Sequence, residues 1–207
     1  RVASRGLGDV YKRQAVDALG SDRVSCFMLP FRYTSDQSFI DAKGCAKNLN
    51  INLGSLNIED SFNSLEDVLT PFFKGLPKDV TEENLQSRIR GVLLMALSNK
   101  GGDMVVTTGN KSEVSVGYAT LYGDMNGGYN PIKDIYKTEV YELARWRNSN
   151  LPLGALGPAG EVIPLSIIEK EPTAELRDNQ KDQDSLPPYN ELDLSLIHIS
   201  EPTRRYS

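Results

Sequence analysis

Short apolar runs alternating with long amphipathic stretches constrain this chain more than any single motif. Val24 to Leu29, Ile51 to Ile58 and Asp103 to Thr108 (DMVVTT) are each too brief for a helix, which predicts buried strands. Thr34 and Gln37, three apart, predict a capping box for a helix through about Leu49. Phe62, Leu65, Leu69 and Phe72 predict a second helix that stops before Gly75 and Pro77. Leu85, Ile89, Val92, Leu93, Ala96 and Leu97 form one stripe on a third, from Thr81 to about Lys100, ended by Gly101 and Gly102. Ala15 to Leu19 reads as a last helical turn capped by Gly20, and a helix from about Tyr136 to Asn148 turns Val140, Leu143 and Ala144 inward. Parallel strands need crossover connections, so the pattern predicts an α/β doubly wound parallel sheet with ligands beyond the carboxyl ends of its strands.

The two ends read differently. Residues 1–14 (RVASRGLGDVYKRQ) and 194–207 (LSLIHISEPTRRYS) lack the periodicity of the segments they flank and resemble translated sequencing-adapter segments. The fold reading is therefore confined to residues 15–193, taken as one domain. That body holds 17 basic and 26 acidic residues, a net charge of −9, which disfavours nonspecific nucleic-acid binding. No run approaches the roughly 18 to 20 apolar residues of a membrane span, and Cys26 and Cys45 are too few for a disulfide framework, so a cytoplasmic setting is expected. The single histidine, His198, lies in an excluded end. Histidine-based nucleophilic sites and histidine-ligated zinc are thereby removed, leaving carboxylates, lysines, hydroxyls and oxygen-ligated metals such as magnesium.

TTGNKSE, Thr107 to Glu113, places hydroxyls, a lysine and a carboxylate at a strand-to-helix turn, where they could hold a phosphate and its metal. Equally, Ser112 could cap a helix whose dipole Glu113 answers, an effect of about 0.3 to 1 kcal/mol. Asn84 and Arg88 share a helical face that could be merely solvated, and Lys137 and Thr173 read as well as surface residues. GDMNGG, from Gly123, has no lysine at the offset a P-loop needs. Glu169 to Asp193 is polar and Pro-punctuated, a mobile loop or a lid. Trp146, Cys26 and Cys45 read as core or interface packing.

Taken in order, LPFRYTS, VTEENLQSRIRG, LLMALSNK, TTGNKSEVSVGYATLYGDMNGGYNPIKDIYKTEVYELARWRN and NQKDQDSLPPYNELD resemble the synthetase domain of the NAD+ synthases, in their bacterial glutamine-hydrolysing form. The resemblance covers residues 15–193 and implies a Rossmann-like fold of the adenine nucleotide alpha-hydrolase kind. It implies ATP-dependent amidation of deamido-NAD through an adenylate, with magnesium, and with ammonia from glutamine hydrolysis in a separate nitrilase-like domain. By the same resemblance Thr108, Lys137 and Thr173 are ATP contacts, Asn84 and Arg88 deamido-NAD contacts, and Glu113 serves magnesium and the deamido-NAD side. Arg32 and Asp182 are further candidates. A homodimer or larger assembly is implied.

The Ser-Gly-Gly turn followed by Asp-Ser that the resemblance places ahead of the first helix is absent, and RVASRGLGDVYKRQ stands there. The expectation is an inactive portion of an active parent. Another ATP-pyrophosphatase amidoligase, of GMP or asparagine synthetase type, and a non-catalytic nucleotide-binding remnant are the competing readings.

Overall fold

The computed structural model describes residues 2–3 and 8–200. Among these, β1 (Val2–Ala3), β2 (Ser25–Met28) and β3 (Asn52–Ser55) form an all-parallel sheet in the order β1-β2-β3, with Cys26 opposite Val2 and Leu53. The helices are α1 (Gly8–Leu19), α2 (Asp36–Asn48), α3 (Glu59–Phe73), α4 (Val80–Gly101), α5 (Lys111–Ser115), α6 (Lys137–Ser149), α7 (Leu165–Glu169) and α8 (Tyr189–Ser200).

Apolar clusters lie on both sides of β2. Val24 and Cys26 enter one cluster with Val16 of α1, Cys45 and Leu49 around α2, Val140 and Ala144 of α6, and Ile167 and Ile168 of α7. Phe27 and Leu29, of opposite parity, meet a second cluster that holds Phe62 of α3, Ile89 and Leu94 of α4 and Val105. Alternate side chains of a strand point to opposite faces, so this division is the doubly wound arrangement the alternation predicts.

Local details depart from expectation. The cap of α2 is Ser35, whose hydroxyl accepts from the Ser38 N–H at 3.3 Å; Thr34 is used in the preceding turn, where it accepts from the Phe31 N–H at 3.0 Å, and Gln37 reaches Asp41. Asp103 to Thr108 is no extended strand but a single parallel bridge, Val106 to Tyr129. Its backbone groups pair with the glycine loop instead: Gly128 N–H donates to Val105 C=O and Thr107 N–H to Tyr129 C=O.

On α4 the expected stripe holds in part: Ile89 is buried and Leu85 and Leu93 pack against its cluster, but Val92 and Ala96 are exposed, and the buried face extends to Gln86, Arg90, Leu94 and Ser98. Likewise only Phe62 of the α3 stripe is buried, Leu65 and Phe72 being exposed. Trp146 is half exposed, whereas both cysteines are fully buried thiols. The polar stretch ends in regular structure, since α8 begins at Tyr189 and runs through Ser200 with Leu196 buried. At the other end α1 extends back to Gly8, with Lys12 and Arg13 buried.

Asp17 ties α1 to α6. Its carboxylate accepts from Arg147 Nε at 3.0 Å and Nη2 at 2.8 Å, and from Arg13 Nε at 3.0 Å, while Arg147 also donates to Pro158 C=O. Arg147 is completely buried. Removing the carboxylate by Asp17→Ala would strand that charge, an expected loss of about 3 to 5 kcal/mol in chemical denaturation. Replacing both partners with apolar residues of similar volume is expected to cost less.

Candidate active site

The site is built where TGNKSE leaves the bridge at Val106. Asn110 caps α5 by accepting from the Glu113 N–H at 3.0 Å, and Glu113 Oε2 accepts from the Asn110 N–H at 3.3 Å. This capping box replaces the Ser112 cap considered from the sequence, because Ser112 points elsewhere. The other Glu113 oxygen accepts from Lys137 Nζ at 2.7 Å.

Lys137 opens α6 and is 5% exposed. Burial alone lowers its pKa, but the charge of Glu113 and its hydrogen bond outweigh that, so the ammonium titrates above the ordinary lysine value. Beside it, Asp182 is buried and accepts from Tyr189 OH at 2.8 Å and Tyr118 OH at 3.2 Å. Burial raises the Asp182 pKa against the opposing pull of Lys137 and the two phenols, and burial also raises both tyrosines.

The opposite wall is α4. Asn84 Oδ1 accepts from Thr120 Oγ1 at 2.7 Å, Ser87 donates to Asp124 at 2.8 Å, and Arg88 Nε donates to Leu121 C=O at 3.2 Å. Gly91 permits this contact: a Cβ there would lie 2.7 Å from the Gly123 carbonyl oxygen, so any side chain would push the loop off the helix.

Residues 170–182 form a strap across the cleft. Glu175 accepts from Ser35 Oγ at 2.8 Å, Ser38 Oγ at 2.7 Å and Lys170 Nζ at 3.0 Å, with its backbone left-handed at φ +49°. Gln86 Nε2 donates to Leu176 C=O at 2.8 Å, and Thr173 Oγ1 to Gln180 C=O at 2.5 Å.

Arg32, Asn84, Thr108, Glu113, Lys137, Thr173 and Asp182 all line one cleft of about 800 Å³. That volume suits a nucleotide-sized ligand. Arg88 does not line it; exposed on α4, it is held against the loop at the rim. Arg32 is also exposed and pairs with Glu59 while stacking over Phe31 at 4.7 Å. Tyr118, Gln86 and Glu175 line the cleft without having been singled out from the sequence, since no local pattern distinguishes them from solvated polar residues. Among the described residues no three carboxylate, histidine or cysteine side chains converge as a metal-binding group.

A family model described as NAD synthase matches residues 10–205. The glutamine-dependent NAD(+) synthetase of Rhodobacter capsulatus is 56% identical over 187 residues, which are 90% of this chain and 34% of that protein. A solved glutamine-dependent NAD+ synthetase from Acinetobacter baumannii, in complex with ADP, superposes with a TM-score of 0.74 at 43% identity, covering 97% of this chain and 35% of that one. An NMN synthetase from Francisella tularensis, at 22% identity, has a TM-score of 0.78 over 100% of this chain and 78% of its own, and shares the fold. The chain spans about a third of the length of the curated relatives it matches.

The Glu175 cluster gives the strap an acid limit. Burial raises the Glu175 pKa, but the hydrogen bonds from Ser38, Lys170 and Ser35 more than offset it, leaving the folded value below the ordinary 4.5. A depressed folded pKa contributes stability above the unfolded value and loses it as pH falls through the folded one. The difference in thermal midpoint between the unaltered chain and Glu175→Gln is therefore expected to narrow as pH falls below 4.5. A difference that stays constant down to the folded pKa would contradict this.

Proposed function

The chain belongs to the NAD synthase family, and from that premise we propose that its cleft binds ATP and deamido-NAD for amidation of the nicotinate carboxylate. The observation that carries the reading is the buried Lys137 ammonium beside Glu113, at the end of the TTG turn and inside a nucleotide-sized cleft. In the reaction the carboxylate attacks the α-phosphorus of ATP and the bond to pyrophosphate breaks. Ammonia then adds to the acyl carbon, AMP leaves with the bonding electron pair, and a proton is lost. A carboxylate is a poor acyl donor at neutral pH, whereas its anhydride with AMP is a good one. The protein's work is to hold the reactants together and to offset phosphate charge.

Lys137 does the second task as a point charge held by Glu113. Thr108 offers a hydroxyl at the turn, and Thr173 brings the strap over the nucleotide. Asn84 and Arg88 present an amide and a guanidinium from α4 to the dinucleotide, Arg88 from the rim. Asp182 and Arg32 line the same cleft. Magnesium fits this donor set: one carboxylate, Glu113, together with substrate phosphate oxygens, is its customary environment, and it would supply further neutralisation of phosphate charge. The ammonia is assigned to glutamine hydrolysis elsewhere in a longer protein, as the name of the Rhodobacter relative suggests. A cytoplasmic setting and a homodimer or larger assembly complete the reading. The assembly is supported by the apolar side chains that α3 exposes, Leu65, Val68 and Phe72; among the described residues no helix is long and apolar enough to cross a membrane.

Calorimetric titration with magnesium-ADP tests the proposal. Binding is expected, with Lys137→Met weakening it by about 2 kcal/mol, roughly 30-fold, at an unchanged fold. Deamido-NAD, rather than a purine monophosphate or aspartate, is expected to protect the α4 wall. No NAD+ formation from ATP, ammonia and deamido-NAD is expected of these 207 residues alone, because the sequence contains no Ser-Gly-Gly turn to grip the departing pyrophosphate. Absence of nucleotide binding, or binding indifferent to Lys137, would overturn the reading.

A further inference from the structure

Lys137 is aimed by a group that lies far from it in sequence. Asp193, 2% exposed on α8, uses both carboxylate oxygens to tie together the starts of two other helices. Its Oδ1 accepts from Ser112 Oγ at 2.5 Å, in the first turn of α5. Its Oδ2 accepts from both the N–H and the hydroxyl of Thr138 at 2.9 Å, in the first turn of α6. Ser112 closes the ring, since its oxygen accepts from the Lys137 N–H at 2.8 Å. The two residues locked by this ring, Ser112 and Lys137, stand next to and at the two members of the ion pair, Glu113 and Lys137.

Four backbone N–H groups at a helix start have no partner within the helix. At α6 two of them, those of Lys137 and Thr138, are taken by this ring, and that of Tyr136 by Glu139 at 2.8 Å. A carboxylate at that place also faces the positive end of the α6 dipole. The ring therefore fixes the direction in which α6 leaves the loop, and with it the starting point of the Lys137 side chain. Asp193 itself does not line the cleft.

We infer that Asp193 is a positioning residue that holds Lys137 against Glu113 at the nucleotide-binding end of the cleft. The inference rests on the reading of Lys137 given above, but it can be tested without nucleotide. A buried ammonium paired with a carboxylate is a poor nucleophile, so release of Lys137 from Glu113 is read directly as faster acylation of its amine.

The test compares the full chain with Asp193→Asn, Ser112→Ala and Leu192→Ala. Asparagine can still accept from Ser112 but presents an amide donor to the Thr138 N–H, so it opens the ring at α6. Leu192 is the neighbour of Asp193 and packs with Tyr136, Tyr189 and Leu196, so its truncation loosens α8 without touching the ring. Lys137 acetylation by acetic anhydride, followed by peptide mass spectrometry, and amide exchange at Thr138 are read beside the thermal midpoint. In Asp193→Asn, acetylation is expected to rise about tenfold and magnesium-ADP to bind about tenfold more weakly, the scale set by a displaced catalytic-site group. Ser112→Ala, which cuts the ring at its other joint, is expected to move acetylation in the same direction, and it keeps the test decisive if Asp193→Asn does not fold. Leu192→Ala is expected to lower the midpoint comparably while changing acetylation by no more than about twofold. Equal acetylation changes in Asp193→Asn and Leu192→Ala would reduce Asp193 to a docking contact for α8 and overturn the inference. If the unaltered chain fails to bind magnesium-ADP, the nucleotide reading falls while the acetylation comparison still decides the role of Asp193.

Discussion

A lysine ammonium buried to 5% exposure cannot stand alone, and the surroundings of Lys137 follow from that requirement. Glu113 supplies the opposite charge, and Tyr189 presents its ring 5.0 Å from the ammonium. Glu113 is in turn held by the capping box of α5, so one carboxylate satisfies a helix start and a buried cation together. Such a pair is worth little as a source of stability, because desolvation of both ions offsets their attraction. What it secures is a localised positive charge in a cleft wall of an otherwise acidic body.

That charge is delivered by the topology. A parallel sheet covered on both faces leaves its strand ends as the one edge where loops can gather polar groups without burying them in apolar surroundings. The segment from Val105 to Glu113 reaches this edge and spends its backbone pairing on the glycine loop, which binds Asp124, Gly127 and Gly128 into the same neighbourhood as α4. The close approach of Gly91 to Gly123 completes the wall. Helix, turn and loop are thus fastened by short contacts before any substrate contributes.

The parallel α/β architecture was legible because it depends on periodicity, which a chain displays locally. Gly102 at φ +66° ends α4 where the paired glycines said it would, and Val140 and Ala144 face inward as their spacing implied. Seven of the eight residues carried over from the family resemblance line one cleft, which no local pattern could have established for Thr173 or Asp182. Misreadings arose where polar chemistry displaced apolar packing. The buried face of α4 carries Gln86 and Arg90 beside Ile89 because it borders a polar cleft as well as a core, so a stripe drawn from apolar residues alone captures only part of it. The cap of α2 moved from Thr34 to Ser35 because a turn had already claimed the threonine. Asp193, in NELD, is indistinguishable in sequence from a solvated acid; only its meeting with the starts of α5 and α6 gives it meaning.

Glu175 combines two properties that pull against each other. Its left-handed backbone, at φ +49°, is one that a non-glycine residue adopts at a cost of order 1 kcal/mol, and its carboxylate is the acceptor on which Ser35, Ser38 and Lys170 converge. Glycine would relax the first and delete the second. Asparagine, the usual tolerant substitute, is a methylene shorter and carries no charge for Lys170. Selection for greater rigidity and selection for retention of the strap therefore act on the same atoms in opposite directions, and the position has few neighbours in sequence space that serve both.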